Sequence, residues 1–249
     1  RLSRFWFALL LALFGISLQW FAASACELSV NGIYADFVHS LSAAEHHSNA
    51  AGYSIAQVGT IPLGAAPHGV AVTPDGSQIW VTNFTSLAVP NERYVSIIDA
   101  ATLTVTGQIE VGRGAVNIIF SRDGSRAYVT NELDDTLSVI NVASHRVFKT
   151  ITLPDRPHGM SLGIDPEDST IDRRLYVASL GADSISVIDT VNLTVIKTVA
   201  VGNTPDSPAV APDGKTIWVT NYGEGEETTL SLVDGVALRE VFTLTVGIY

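Results

Sequence analysis

The sequence predicts an all-β fold, a β-propeller of four-stranded antiparallel blades, and three observations predict it. First, nearly the same segment is written four times between Gly64 and Gly247. Self-similarity at a fixed period marks a repeat architecture before any single residue is interpreted. Second, Asp75-Gly76, Asp123-Gly124 and Asp213-Gly214 recur in register, and Asp-Gly supplies the positive φ that tight hairpin turns demand. Third, the segments between these turns alternate in polarity and are rich in Val, Ile, Thr, Tyr and Trp, the residues that suit a half-buried pleated surface.

Each element of the repeat follows in order. A loop, glycine-led in three of the four copies, enters an apolar first strand, which ends at the Asp-Gly turn; Asp165-Pro166 stands in for that turn in the third copy. The second strand is Trp80-Val81-Thr82-Asn83, Tyr128-Val129-Thr130-Asn131 and Trp218-Val219-Thr220-Asn221, with the weaker Tyr176-Val177-Ala178-Ser179 in the third copy. The third strand closes on Asp99, Asn141, Asp189 or Asp234, where an Asx side chain can bond the backbone two residues on. A Thr-rich fourth strand completes the unit. The period is 42 residues from Asp99 to Asn141 and 48 from Asn141 to Asp189, where a loop grows. Four short strands in that length make one propeller blade, and a blade must stack on neighbours to bury its faces. The expected blades cover about 64–111, 112–153, 154–201 and 202–247 within a repeat region of 52–249, with a lone outer strand at 52–63.

These motifs resemble the YVTN β-propeller repeat family, whose tetrapeptide stands unaltered at Tyr128 to Asn131. The resemblance covers about residues 52–249. It implies a seven-bladed, extracytoplasmic propeller of which four blades are visible here, and it implies fold more than activity.

The first 25 residues read differently. Arg1 and Arg4 precede an apolar run over 5–22, and Ala23-Ser24-Ala25 has the small-x-small pattern of a signal-peptidase site. The expectation is an export signal at 1–25 and a periplasmic or envelope location; an uncleaved anchor is the alternative, since the run is close to spanning length. Cys26, the sole cysteine, follows directly. Lipidation at Cys26 and soluble secretion remain open, although a lipoprotein box usually carries Leu where Ala23 stands. Residues 26–51 read as a linker. The repeat region is expected to be a piece of a larger propeller, with a four-bladed or partner-completed ring as the alternative.

Composition narrows the partners. The chain is 47% hydrophobic and 16% charged, which fits an ordered globular protein, and its net charge is -11. That balance opposes nucleic acid, because phosphate binding needs clustered Lys and Arg. No cofactor is required by the sequence, and no metal is assigned. His39, Glu45, His46 and His47 match no strong zinc spacing.

Candidate site residues come from the loops. In a propeller, the loops between blades and those joining second to third strands share the face around the channel mouth, and loops carry function on rigid scaffolds. The second-to-third loops hold Glu92, Glu132, Asp134, Asp135, Asp183, Glu224, Glu226 and Glu227, with Arg93 the cation set against them. Two readings stand: solvated loop charge, or a docking face for a protein or small ligand, cationic if electrostatically steered. His68 and His158 occupy the same slot, each in Pro-His-Gly before a first strand, while Val116 and Asp206 fill it in the other copies, so no ring of histidines is expected. A ligand or acid-base role and a turn-shaping role are both open for them. Neither Gly-x-Ser-x-Gly nor His-Glu-x-x-His occurs. The leading functional expectation is therefore an exported binding or scaffold module without chemistry of its own. The alternative is a propeller enzyme or redox-associated protein, of the haem d1, quinone or lactonase kind, using His68 and His158. A surface-layer or adhesion role is a further option.

Overall fold

Sixteen β-strands form four antiparallel sheets of four strands each, in simple meander order. The computed structural model describes residues 59–63, 66–84, 93–166, 173–223 and 228–247. The export signal, Cys26, the linker, residues 52–58 of the expected outer strand, Glu92, Glu224, Glu226 and Glu227 lie outside the described residues. Residues 59–63 carry no strand. The first sheet is β1 (Pro67–Val72), β2 (Gln78–Asn83), β3 (Tyr94–Asp99) and β4 (Thr104–Glu110). The second is β5 (Ala115–Phe120), β6 (Arg126–Asn131), β7 (Thr136–Asn141) and β8 (Arg146–Thr152). The third is β9 (Pro157–Gly163), β10 (Arg174–Ser179), β11 (Ser184–Asp189) and β12 (Thr194–Ala200). The fourth is β13 (Pro205–Val210), β14 (Thr216–Asn221), β15 (Thr228–Asp234) and β16 (Arg239–Gly247). Sheets touch chiefly through their first strands, β1 on β5, β5 on β9 and β9 on β13. Four such sheets, with a short 3-10 turn at Leu180–Ala182 between β10 and β11, are the architecture of a propeller and consistent with seven blades.

The turns form as their residues dictate. Gly76, Gly124 and Gly214 have φ of +73°, +70° and +69°. Asp75 accepts hydrogen bonds from the Ser77 amide (3.0 Å) and the Thr73 hydroxyl (2.6 Å), and Asp123 repeats this with Ser125 and Ser121. At the other hairpins, Asp99, Asn141, Asp189 and Asp234 accept backbone N–H groups two or three residues on.

The recurring tetrapeptide divides its labour by residue. Its aromatic packs against the next sheet: Trp80 meets Phe120 at 5.1 Å between ring centroids, and Trp80, Tyr128 and Tyr176 are fully buried. Its threonine stitches sheets together, Thr82 Oγ1 donating to the Val116 carbonyl and Thr130 Oγ1 to the His158 carbonyl, both at 2.8 Å. Its asparagine ties the third strand, Asn131 Nδ2 donating to Thr136 Oγ1 (3.0 Å) and Ser138 Oγ (2.9 Å). Asn221 does the same with Thr229 and Ser231.

Candidate functional site

The slot shared by His68, Val116, His158 and Asp206 is a β-bulge. In each sheet the pairing of first and second strands slips just after the opening residue, at Pro67, Ala115, Pro157 and Pro205, and the slot residue lies inside the slip. A bulge re-aims the side chain it carries. The glycine of each Pro-His-Gly is required by close packing: a Cβ on Gly69 would lie 2.4 Å from the Val116 carbonyl oxygen, and one on Gly159 would lie 2.3 Å from that of Asp206. The turn-shaping reading of Pro-His-Gly thus has a physical basis, and the histidines are carried along at the point where adjacent sheets approach most closely.

Three slot residues from separate sheets meet. The His68 and His158 rings stand 5.7 Å apart, edge to face at 89°. His158 Nδ1 is 2.9 Å from Asp206 Oδ1, a close contact that is not aligned as a hydrogen bond. Phe84 lies 5.9 Å from the His68 ring on another side. Burial and the neighbouring His158 push the His68 pKa below its ordinary value, against a hydrogen bond to the Val116 carbonyl and the carboxylates of Glu132 and Asp206. The contact with His158 holds the Asp206 carboxyl below the usual carboxylate range despite burial. His68 hydrogen-bonds the Val116 carbonyl and His158 faces Asp206 with Nδ1. An imidazole held beside a carboxylate is the arrangement of a general base.

Asp206 was hidden in the sequence because it occupies the histidine slot and counted there as a break in the pattern. Its signal was the slot itself, since the same bulged position recurs in every sheet.

The acidic face changes character in three dimensions. Arg93 is not its sole cation: Arg113 Nε pairs with Asp134 Oδ1 at 2.6 Å, and Arg156 Nε with Glu132 Oε1 at 3.1 Å. Both arginines come from inter-sheet loops, which the sequence reading left out of the charge balance. Burial pushes the Asp134 carboxyl up, but the Arg113 amide, guanidinium and charge outweigh it and leave the pKa lowered. Asp135 accepts the Arg156 amide and Asp183 the Thr204 amide, both at 2.9 Å. These amides belong to non-glycine residues with φ of +57° and +51°. Asp135 and Asp183 therefore cap the strained loop that starts the following sheet. Among the described residues, no group of three His, Cys, Asp or Glu side chains is placed to hold a metal ion.

Residues 62–234 match the family described as "Lactonase, 7-bladed beta-propeller". The chain belongs to that family. Among solved structures, this lactonase-family chain is similar to hydrazine synthase of Kuenenia stuttgartiensis, with a TM-score of 0.64 and 25% identity over 73% of this chain and 49% of that one. It is also similar in fold to a functionally unknown protein from Desulfotomaculum acetoxidans DSM 771, with a TM-score of 0.61 and 18% identity over 78% of this chain and 60% of that one. The chain thus spans about half to three-fifths of the length of these two neighbours. No curated protein sequence matches it.

Proposed function

We propose that this propeller, built of YVTN-type repeats, binds a small hydroxylated cyclic ester at the channel mouth and opens it by hydrolysis. The observation that carries this reading is the Asp206–His158 contact beside a His68 whose pKa is pushed down, all on bulged first strands. The family match supports the substrate class. His158 takes a proton from water as the water oxygen bonds to the ester carbonyl carbon. The ring carbon–oxygen bond then breaks, and the leaving alkoxide recovers the proton from His158. Asp206 stabilises the imidazolium formed between these steps, and the His68 ring, 5.7 Å from that of His158, forms a wall of the binding site. A general base of this kind contributes roughly 10²–10⁴-fold in rate. Turnover of a lactone panel by the purified chain should fall by about that factor in His158→Ala, and clearly in Asp206→Asn. Loss of binding without loss of kcat is expected for His68→Ala. If the unaltered chain opens no lactone, the hydrolytic reading is wrong.

A second reading, favoured by the net charge of -11, is a binding or scaffold module exported through residues 1–25 and anchored to the envelope by Cys26. A basic protein partner would dock on the acidic loops, led by Glu224, Glu226 and Glu227. Replacing those three with Gln should slow association at low salt. An unchanged rate removes this reading.

A further inference from the structure

The third sheet departs from the others at two positions that touch one another's role. In the second sheet, the Gly112 amide donates to Asn131 Oδ1 at 3.1 Å, while the Asn131 amide nitrogen donates to Thr136 and Ser138. Glycine is obligatory there: an added Cβ would lie 2.6 Å from Asn131 Cγ, and at Gly202 it would lie 2.5 Å from Asn221 Nδ2. In the third sheet the equivalents of this glycine and asparagine are Pro154 and Ser179. Proline has no N–H to give and carries a ring where the carboxamide would stand. Serine has no carboxamide. The donor, the acceptor and the steric conflict disappear together. What remains is a cost: the hydroxyls of Ser179, Ser184 and Ser186 are buried with no hydrogen-bond partner.

We propose that Pro154 and Ser179 are a compensated pair that positions His158. Pro154 opens the short loop that ends at the bulge carrying His158, and its ring fixes φ where the second sheet uses the Gly112–Asn131 hydrogen bond and the fourth a Gly202 amide that donates to Ser231 Oγ at 3.0 Å. The loop retains the repeat's other ties, the Leu180 amide to the Arg156 carbonyl (2.9 Å) and the Arg156 amide to Asp135 (2.9 Å). Pro157, directly before His158, restricts the other end. The histidine slot in contact with Asp206 is thus delivered by a loop stiffened at both ends. Pro154 and Ser179 are positioning residues; neither needs to touch ligand.

The pair itself is independent of hydrolysis, while its bearing on catalysis rests on the reading above. The test therefore uses no substrate. Pro154→Gly, Ser179→Asn and the double variant of the full chain are compared by urea unfolding, with the contact between the His158 ring and Asp206 followed by NMR. Ser179→Asn alone should destabilise, because the amide meets the proline ring, and Pro154→Gly alone should destabilise by freeing the loop. The double variant should recover most of the loss. The close contact of the His158 ring with Asp206 should be lost from the NMR spectrum in Pro154→Gly and return in the double variant. Additive single effects would overturn the compensated pair. Coupled stabilities with an unmoved His158 would overturn the positioning role. Absence of lactone turnover would bear on the proposed function alone.

Discussion

At the scale of single residues, titration separates the site from the scaffold. The His68 pKa lies below the ordinary 6.5 because burial and His158 disfavour its charged form. Unfolding restores the ordinary value, so the unfolded chain binds the proton first, and stability falls as pH drops below about 6.5. His68→Phe should flatten that limb in a plot of unfolding free energy against pH. A second limb belongs to the turns. Asp75 is held down to about 2 from 3.8, first by the Thr73 hydroxyl and then by the Ser77 amide and hydroxyl. Its contribution is present above the ordinary carboxylate value and is lost as pH falls from about 4 toward 2. Asp75→Asn should remove part of this acid limb and leave the His68 limb unchanged. A profile with a single limb, unaltered by either variant, would contradict both assignments.

At the scale of elements, glycine discriminates between open turns and close sheet contacts. A Cβ on Gly159 would press on the Asp206 carbonyl oxygen at 2.3 Å, whereas one on Gly107 meets only Ile97 Cδ1 at 3.8 Å. Gly159→Ala must push β9 and β13 apart, at a cost of roughly 1–3 kcal/mol by the usual penalty for overpacking. Gly107→Ala should be within about 0.5 kcal/mol of neutral, as for surface substitutions. The two variants, compared by thermal unfolding, test whether first-strand packing sets sheet spacing. Gly159→Ala should also disturb the His158–Asp206 contact, because the strand that moves carries Asp206.

For the whole molecule, the repeat makes burial depend on which sheet a residue belongs to. Trp80, Tyr128 and Tyr176 occupy one repeat position and are 0%, 1% and 0% exposed, each covered by the following sheet. Trp218 holds the same position in the last described sheet and is 36% exposed, edge-on to Phe242 at 6.0 Å. Trp80→Ala should cost on the order of 3–5 kcal/mol in denaturant unfolding, the range for large buried aromatics; a loss under about 1 kcal/mol would contradict its packing against Phe120.

By itself, the sequence determined the strands, the turns and the blade period, because these depend on local rules repeated four times. Asp-Gly sets φ, Asx residues bond their own turns, and alternating Val, Ile and Thr define faces within a few residues. It also marked His68 and His158 as equivalent, and it showed Ser179 as a departure. Only tertiary structure decided that His68, His158 and Asp206 meet, since stacking of sheets brings together slots far apart in the chain. Only stacking placed Arg156 against Glu132 across two sheets, and the folding of the second sheet set Arg113 against Asp134, so two carboxylates of an apparently free acidic face are held in ion pairs. Position along the chain is a matter of local backbone chemistry, but proximity across the mouth depends on how bulges aim side chains and how closely neighbouring backbones pack.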